Sequence, residues 1–192
     1  MATKRMQLRV DEAAGSAVKR PDGEASKSNA VRILGVDPGL NITGYGVLEV
    51  VGRSLRVVEA GVIRGRSRSL ENRLREIHLG VAEVMEAFRP HGMAIEQLYS
   101  HYERPRTAIL MGHARGVICL AATLVETPIH HYAATQIKKV LTGNGRAPKP
   151  QMQQAVRREL GLAAVPEPPD VADAMAVAVC HYYLGVNAAQ FS

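Results

Sequence analysis

Beyond residue 30 the chain alternates short apolar runs with longer segments of helical spacing. VRILGVD (31–37) is an apolar run that ends in the turn signal D-P-G, and it predicts a buried strand. TGYGVLEV and SLRVVEAGVIR follow with a G-R turn between them, so the first three strands form antiparallel hairpins. Leu70, Leu74, Ile77, Val81, Val84, Met85 and Phe88 then fall on one helical face, with Ser69 as the cap and Pro90 as the stop. MAIEQL (93–98) predicts a fourth strand, Arg106 to Glu126 a helix, PIHHYA a fifth strand, and Gln136–Leu141 and Lys149–Leu160 two short helices. A last apolar helix runs from Asp170 to Leu184. Three antiparallel strands followed by strand–helix alternation predict an α/β domain: a mixed five-stranded sheet with helices on both faces.

Residues 1–30 carry no sustained apolar period and read as a flexible N-terminal extension, leaving one domain over 31–185 and a short tail over 186–192. Apolar residues make up 46% of the 192 positions, enough for a core, and Lys+Arg exceed Asp+Glu by 24 to 18. The extension holds six basic and four acidic residues, so the folded part keeps 18 against 14 and an anionic partner is expected. Cys119 and Cys180 are too few for a disulfide framework or a cysteine-based zinc site, and both read as buried thiols. No apolar run reaches the roughly 18–20 residues of a membrane span, and the first thirty residues lack a signal-peptide core. A reducing cytoplasm is the expected compartment.

Four carboxylates stand out against this pattern. Asp37 ends an otherwise apolar strand, where a charge is costly without a partner or a metal, and Gly39 behind it admits a close backbone or phosphate. Glu96 comes late in a buried strand, on the face opposite Ile95. Asp170 and Asp173 share the first turn of the last helix; Asp170 suits a helix cap after Pro-Pro, whereas Asp173 borders an apolar run without such a role. Four converging carboxylates need hard divalent cations. Two ions roughly 4 Å apart serve phosphoryl displacement. An acidic cluster in a basic chain is the combination a nuclease needs.

ILGVDPGLNITGYGV, AIEQLY, LMGHARG, HYAATQIKKVLTGNGRAPKPQMQQAV and PPDVADAMAVAVCH, in this order, resemble the RuvC family of crossover junction endodeoxyribonucleases, the Holliday junction resolvases. The resemblance runs from about Val31 to His181. It implies an RNase H-like fold and a homodimer that nicks two symmetry-related strands of a four-way DNA junction during recombination and repair. It also implies two Mg²⁺ per subunit, with Mn²⁺ as a substitute, held by Asp37, Glu96, Asp170 and Asp173. It puts Tyr99 at the opened junction, Lys138 and Lys149 at the scissile phosphate or the DNA backbone, and a RuvA–RuvB branch-migration complex among the partners. The loop after Tyr99 lacks the family's Lys-Asn pair and offers Arg104 and Arg106 for DNA contact; the usual G-Q-A-R-G reads G-H-A-R-G, with His113.

Other readings of the same residues are a related RNase H-like nuclease acting on another DNA or RNA structure, an actin-like nucleotide-binding protein, and a non-catalytic DNA-binding module. About 160 folded residues supply one domain where the actin-like proteins need two, and no G-x-x-x-x-G-K-[ST] loop is present. Four intact carboxylates near phosphate would bring a pure binder nothing.

Overall fold

The computed structural model describes residues 4–5, 30–98 and 105–186. The elements run β1 (Lys4–Arg5), β2 (Arg32–Asp37), β3 (Ile42–Val51), β4 (Ser54–Arg64), α1 (Leu70–Phe88), β5 (Gly92–Glu96), α2 (Pro105–Thr123), β6 (Ile129–Tyr132), α3 (Ala134–Thr142), α4 (Lys149–Glu159) and α5 (Pro169–His181), which passes into a π-helical turn at Tyr182–Val186. The five expected strands form a mixed sheet in the order β4-β3-β2-β5-β6, and β1 adds a two-residue strand at the β4 edge. The rest of the N-terminal extension and residues 187–192 of the tail lie outside the described residues.

Strands β2, β3 and β4 pair antiparallel, whereas β2–β5 and β5–β6 pair parallel. This places β2 at the centre, with apolar side chains on both faces: Ile33 belongs to the core under α3, α4 and α5, and Leu34 and Val36 to the core under α1 and α2. The α1 boundaries follow their local chemistry. The Ser69 hydroxyl accepts from the Asn72 amide at 3.3 Å, and Arg89 adopts the left-handed conformation (φ 45°) just before Pro90. Cys180 is buried as expected, but Cys119 is only half-buried, because α2 is apolar on its outer side as well as its inner one.

Helix α5 lies unusually close to the sheet. A Cβ on Gly35 would stand 2.1 Å from the Ala174 carbonyl oxygen, one on Gly44 2.0 Å from that of Asp170, and one on Gly46 2.9 Å from Met175 Cγ. Gly35 and Gly46 are direct cross-strand partners, and Gly44 is the partner of Asp37. The glycines therefore form a side-chain-free patch at the centre of the sheet. The Ala-rich α5 seats its backbone there, with its first turn over the end of β2.

Candidate metal centre

The parallel register Val36↔Ile95 brings the next residues, Asp37 and Glu96, to the same rim on adjacent strands. Helix α5 contributes the other two carboxylates. Its N-cap is Pro168, with Pro169 at the first helical position and no side-chain cap bond. Asp170 is thus not the cap that its place after Pro-Pro suggests; proline already removes the first orphan amide, and the Asp170 carboxylate stays available in the first turn, directly over Gly44. Asp173 follows one turn later. The close approach foreseen at Gly39 is to the chain's own backbone: a Cβ there would meet the Ile42 carbonyl at 2.1 Å.

These groups feel one another strongly. Burial, and then the charges of Asp173, Glu96 and Asp170, push the Asp37 carboxyl up to about 8, with Lys149 opposing. Glu96 is also raised, by burial and then by Asp173, with Lys138 opposing. Lys149, at the start of α4, donates to Asp173 Oδ2 at 2.8 Å, and its ammonium is held above its ordinary range by that bond and by Asp173, Asp170 and Asp37. A cleft of about 230 Å³ opens between Glu96, Lys138, Lys149 and Asp173, floored by Ile137 and Met152. Among the described residues no three Asp, Glu, His or Cys side chains already close into a ligand sphere. The donor set nevertheless fits a hard divalent cation: hard oxygens crowd one rim, and the two ammonium groups of Lys138 and Lys149 cannot neutralise four carboxylates.

Arg106 is exposed in the first turn of α2, away from the lining of this cleft. Tyr99 and Arg104 lie outside the described residues. A supporting arginine escaped sequence reasoning: Arg115 of the G-H-A-R-G segment donates from Nε to the Glu96 carbonyl at 3.3 Å and shares a 2.6 Å bond with His131 Nδ1, which ties α2 and β6 to the strand end that carries Glu96. His181, the helix-end histidine, is buried and bonded to the Tyr132 hydroxyl at 2.7 Å, with His130 stacked on it at 4.1 Å. The glycine patch was the other omission. Its signal was present in the alternate glycines of TGYG and the glycine of VRILGVD.

A family model for the crossover junction endodeoxyribonuclease RuvC matches residues 33–181. A relative from Rhodopirellula baltica, named crossover junction endodeoxyribonuclease RuvC, is 58% identical over 164 residues, which cover 85% of this chain and 92% of its own. Among solved structures, Thermus thermophilus RuvC is similar with a TM-score of 0.76 at 31% identity, over 82% of this chain and 97% of that one. A structure of T. thermophilus RuvC in complex with a Holliday junction substrate gives 0.74 at 29%, over 82% and 96%.

Proposed function

The chain belongs to the RuvC family of crossover junction endodeoxyribonucleases, and from that premise we propose that it resolves four-way DNA junctions by paired symmetric nicks, in recombination and repair. The observation that carries the reading is the Asp37 carboxyl, pushed up to about 8 by burial and three further carboxylates at one rim of the sheet. Such an arrangement is costly to a fold and useful to a cation. Endonucleases are what the extensive relatives are named, which favours this reading over nucleotide binding or passive DNA binding.

Asp37, Glu96, Asp170 and Asp173 would hold two Mg²⁺, or Mn²⁺ in their place. Bound there, the ions supply a lowered pKa for the attacking water and charge neutralisation for the departing 3′-oxygen. Asp37 would bind the ions as the carboxylate. Lys149 leaves Asp173 and turns its ammonium toward the scissile phosphate, where it offsets developing charge. Lys138, across the cleft, holds a neighbouring phosphate. Tyr99, Arg104 and Arg106 belong to the junction-facing side in this reading.

The enzyme would work as a homodimer in the cytoplasm, with a RuvA–RuvB branch-migration complex as its partner. Support for the dimer comes from α2, where Ile109 is 61% and Leu120 51% exposed, with the exposed glycines Gly112 and Gly116 between them on one stripe. Among the described residues no helix is long and apolar enough to cross a membrane. The test is cleavage of a synthetic four-way junction, a linear duplex and an RNA–DNA hybrid, with and without Mg²⁺. Wild type should nick the junction alone, and only with metal; Asp37→Asn should bind it and lose nicking by about 10³-fold or more. Undiminished nicking by Asp37→Asn would remove Asp37 from the site.

A further inference from the structure

A second concentration of positive charge borders the metal centre on the side away from Lys138 and Lys149. Between Arg64, which ends β4, and Glu76 in α1, the segment RGRSRSLENRLRE holds five arginines against two glutamates. Its loop is pinned to the turn that follows Asp37. The Gly65 amide donates to the Asn41 carbonyl at 3.0 Å, and Arg73 Nη1 donates to Asn41 Oδ1 at 2.9 Å. A Cβ on Gly65 would stand 2.4 Å from the Leu40 carbonyl.

Both glutamates are committed to the loop's own donors. Glu76 accepts from the amides of Arg66 at 2.7 Å and Ser67 at 3.3 Å and from the Ser67 hydroxyl at 2.6 Å, and Arg66 adds a longer-range attraction. Glu71 is held by the Ser69 hydroxyl and its own backbone amide. Arg66 and Arg68 are exposed and Arg64 is half-buried, and among the described residues none of the three enters an ion pair. The loop is thus a fixed platform whose guanidinium groups at Arg64, Arg66 and Arg68 enter no ion pair among the described residues. No large apolar side chain is exposed on it, so it lacks what a membrane-inserting loop uses.

Its position suits a polyanion. Asp37 pairs with Gly44 and Gly44 with Val62, so Arg64 sits two strands across and two residues beyond the rim. At about 4.8 Å per strand and about 3.4 Å per residue that is roughly 12 Å from Asp37, or on the order of three to four nucleotides along a strand. The acidic centre therefore has basic groups on two opposite sides. A single scissile strand uses one of them; a branched substrate, whose arms diverge at the crossover, uses both.

From this juxtaposition we propose that Arg64, Arg66 and Arg68 grip the phosphate backbone of a second duplex arm of the junction. This rests on the junction-resolving reading above and extends its contact surface to the β4 side. Binding of a labelled four-way junction is measured in metal-free buffer from 50 to 300 mM salt, for wild type, the triple variant Arg64→Gln/Arg66→Gln/Arg68→Gln, the matching triple lysine variant, and Arg68→Gln alone. Each phosphate contact contributes a slope of roughly −0.9 to log K against log salt. The triple Gln variant should be shallower by about two to three and bind at least tenfold more weakly; triple Lys should keep the wild-type slope, and Arg68→Gln should lose about one. A wild-type slope in both Gln variants overturns the proposal. Wild type that binds the junction no better than a linear duplex would instead overturn the underlying reading. Since Arg68 is exposed and enters no ion pair among the described residues, its single substitution keeps the test available should the triple variant fold poorly.

Discussion

Glu49 and Asp37 are both strand carboxylates, on paired strands of one sheet, and their surroundings drive them in opposite directions. Glu49 is 3% exposed but takes Arg32 at 3.2 Å on one oxygen and Arg56 on the other, and these partners hold it below the usual carboxylate range. Asp37 meets burial and three like charges and rises to about 8. The first arrangement stabilises the protein at neutral pH; the second costs it stability. His181 gives the residue scale its pH prediction. Burial, and then the neighbouring His130, push it down to about 4. Its neutral ring shares Nδ1 with the Tyr132 hydroxyl in a 2.7 Å hydrogen bond. The unfolded chain therefore binds a proton that the folded one refuses, so stability is full above about pH 6.5 and falls as pH drops toward 4, by up to about 3 kcal/mol. Urea melts at pH 7 and pH 4.5 should show this loss in wild type and a smaller one in His181→Gln. Equal losses would assign the acid sensitivity to other groups.

The candidate metal centre depends, at the element scale, on how α5 meets β2 and β3. The three glycine contacts are not equivalent. Alanine at 44 drives its methyl into the Asp170 backbone carbonyl, which is fixed by the helix, whereas alanine at 46 meets Met175 Cγ, part of a flexible side chain that can turn aside. Gly44→Ala should therefore cost about 3 kcal/mol or more and displace Asp170 from the rim, and Gly46→Ala about 1 kcal/mol. Thermal denaturation of the two variants, with junction cleavage alongside, checks the difference; equal shifts would mean that α5 slides to accommodate both. Most elements were legible in the sequence: the α1 stripe from Leu70 to Phe88 and the strand runs left little choice, and α2 and α5 read as apolar, Ala-rich stretches without a clean period. The four acidic residues were legible as misfits in apolar runs. The seating of α5 was not, since glycines in a strand read equally as weak points or bulges and only tertiary packing shows what fills the space. The Arg115 bond to the Glu96 carbonyl escaped for a related reason: a backbone acceptor leaves no trace in side-chain pattern.

On the scale of the whole molecule, charge and apolar surface are segregated. Basic groups flank the acidic rim, whereas the outer side of α2 presents Ile109, Gly112, Gly116 and Leu120. Small residues between two exposed aliphatics allow close helix contact, so a partner subunit would meet this face rather than the DNA-facing one. Leu120→Glu should shift the protein from dimer to monomer in sedimentation at micromolar concentration and uncouple the two nicks, while its melting temperature stays within a few degrees because the side chain is already half exposed. A variant that stays dimeric would place the interface elsewhere.

The order of contributions along the chain has a consequence for biosynthesis. Two acidic groups come from β2 and β5, and the other two wait for α5, with Asp173 136 positions after Asp37. At roughly 5–20 residues per second a ribosome needs about 7–27 s to cover that stretch. Through that interval the glycine patch has no helix to cover it, and the rim holds at most two of its four acidic groups. A nascent or prematurely terminated chain that lacks α5 should consequently be inert toward nucleic acid cleavage, with activity expected only once the last helix docks.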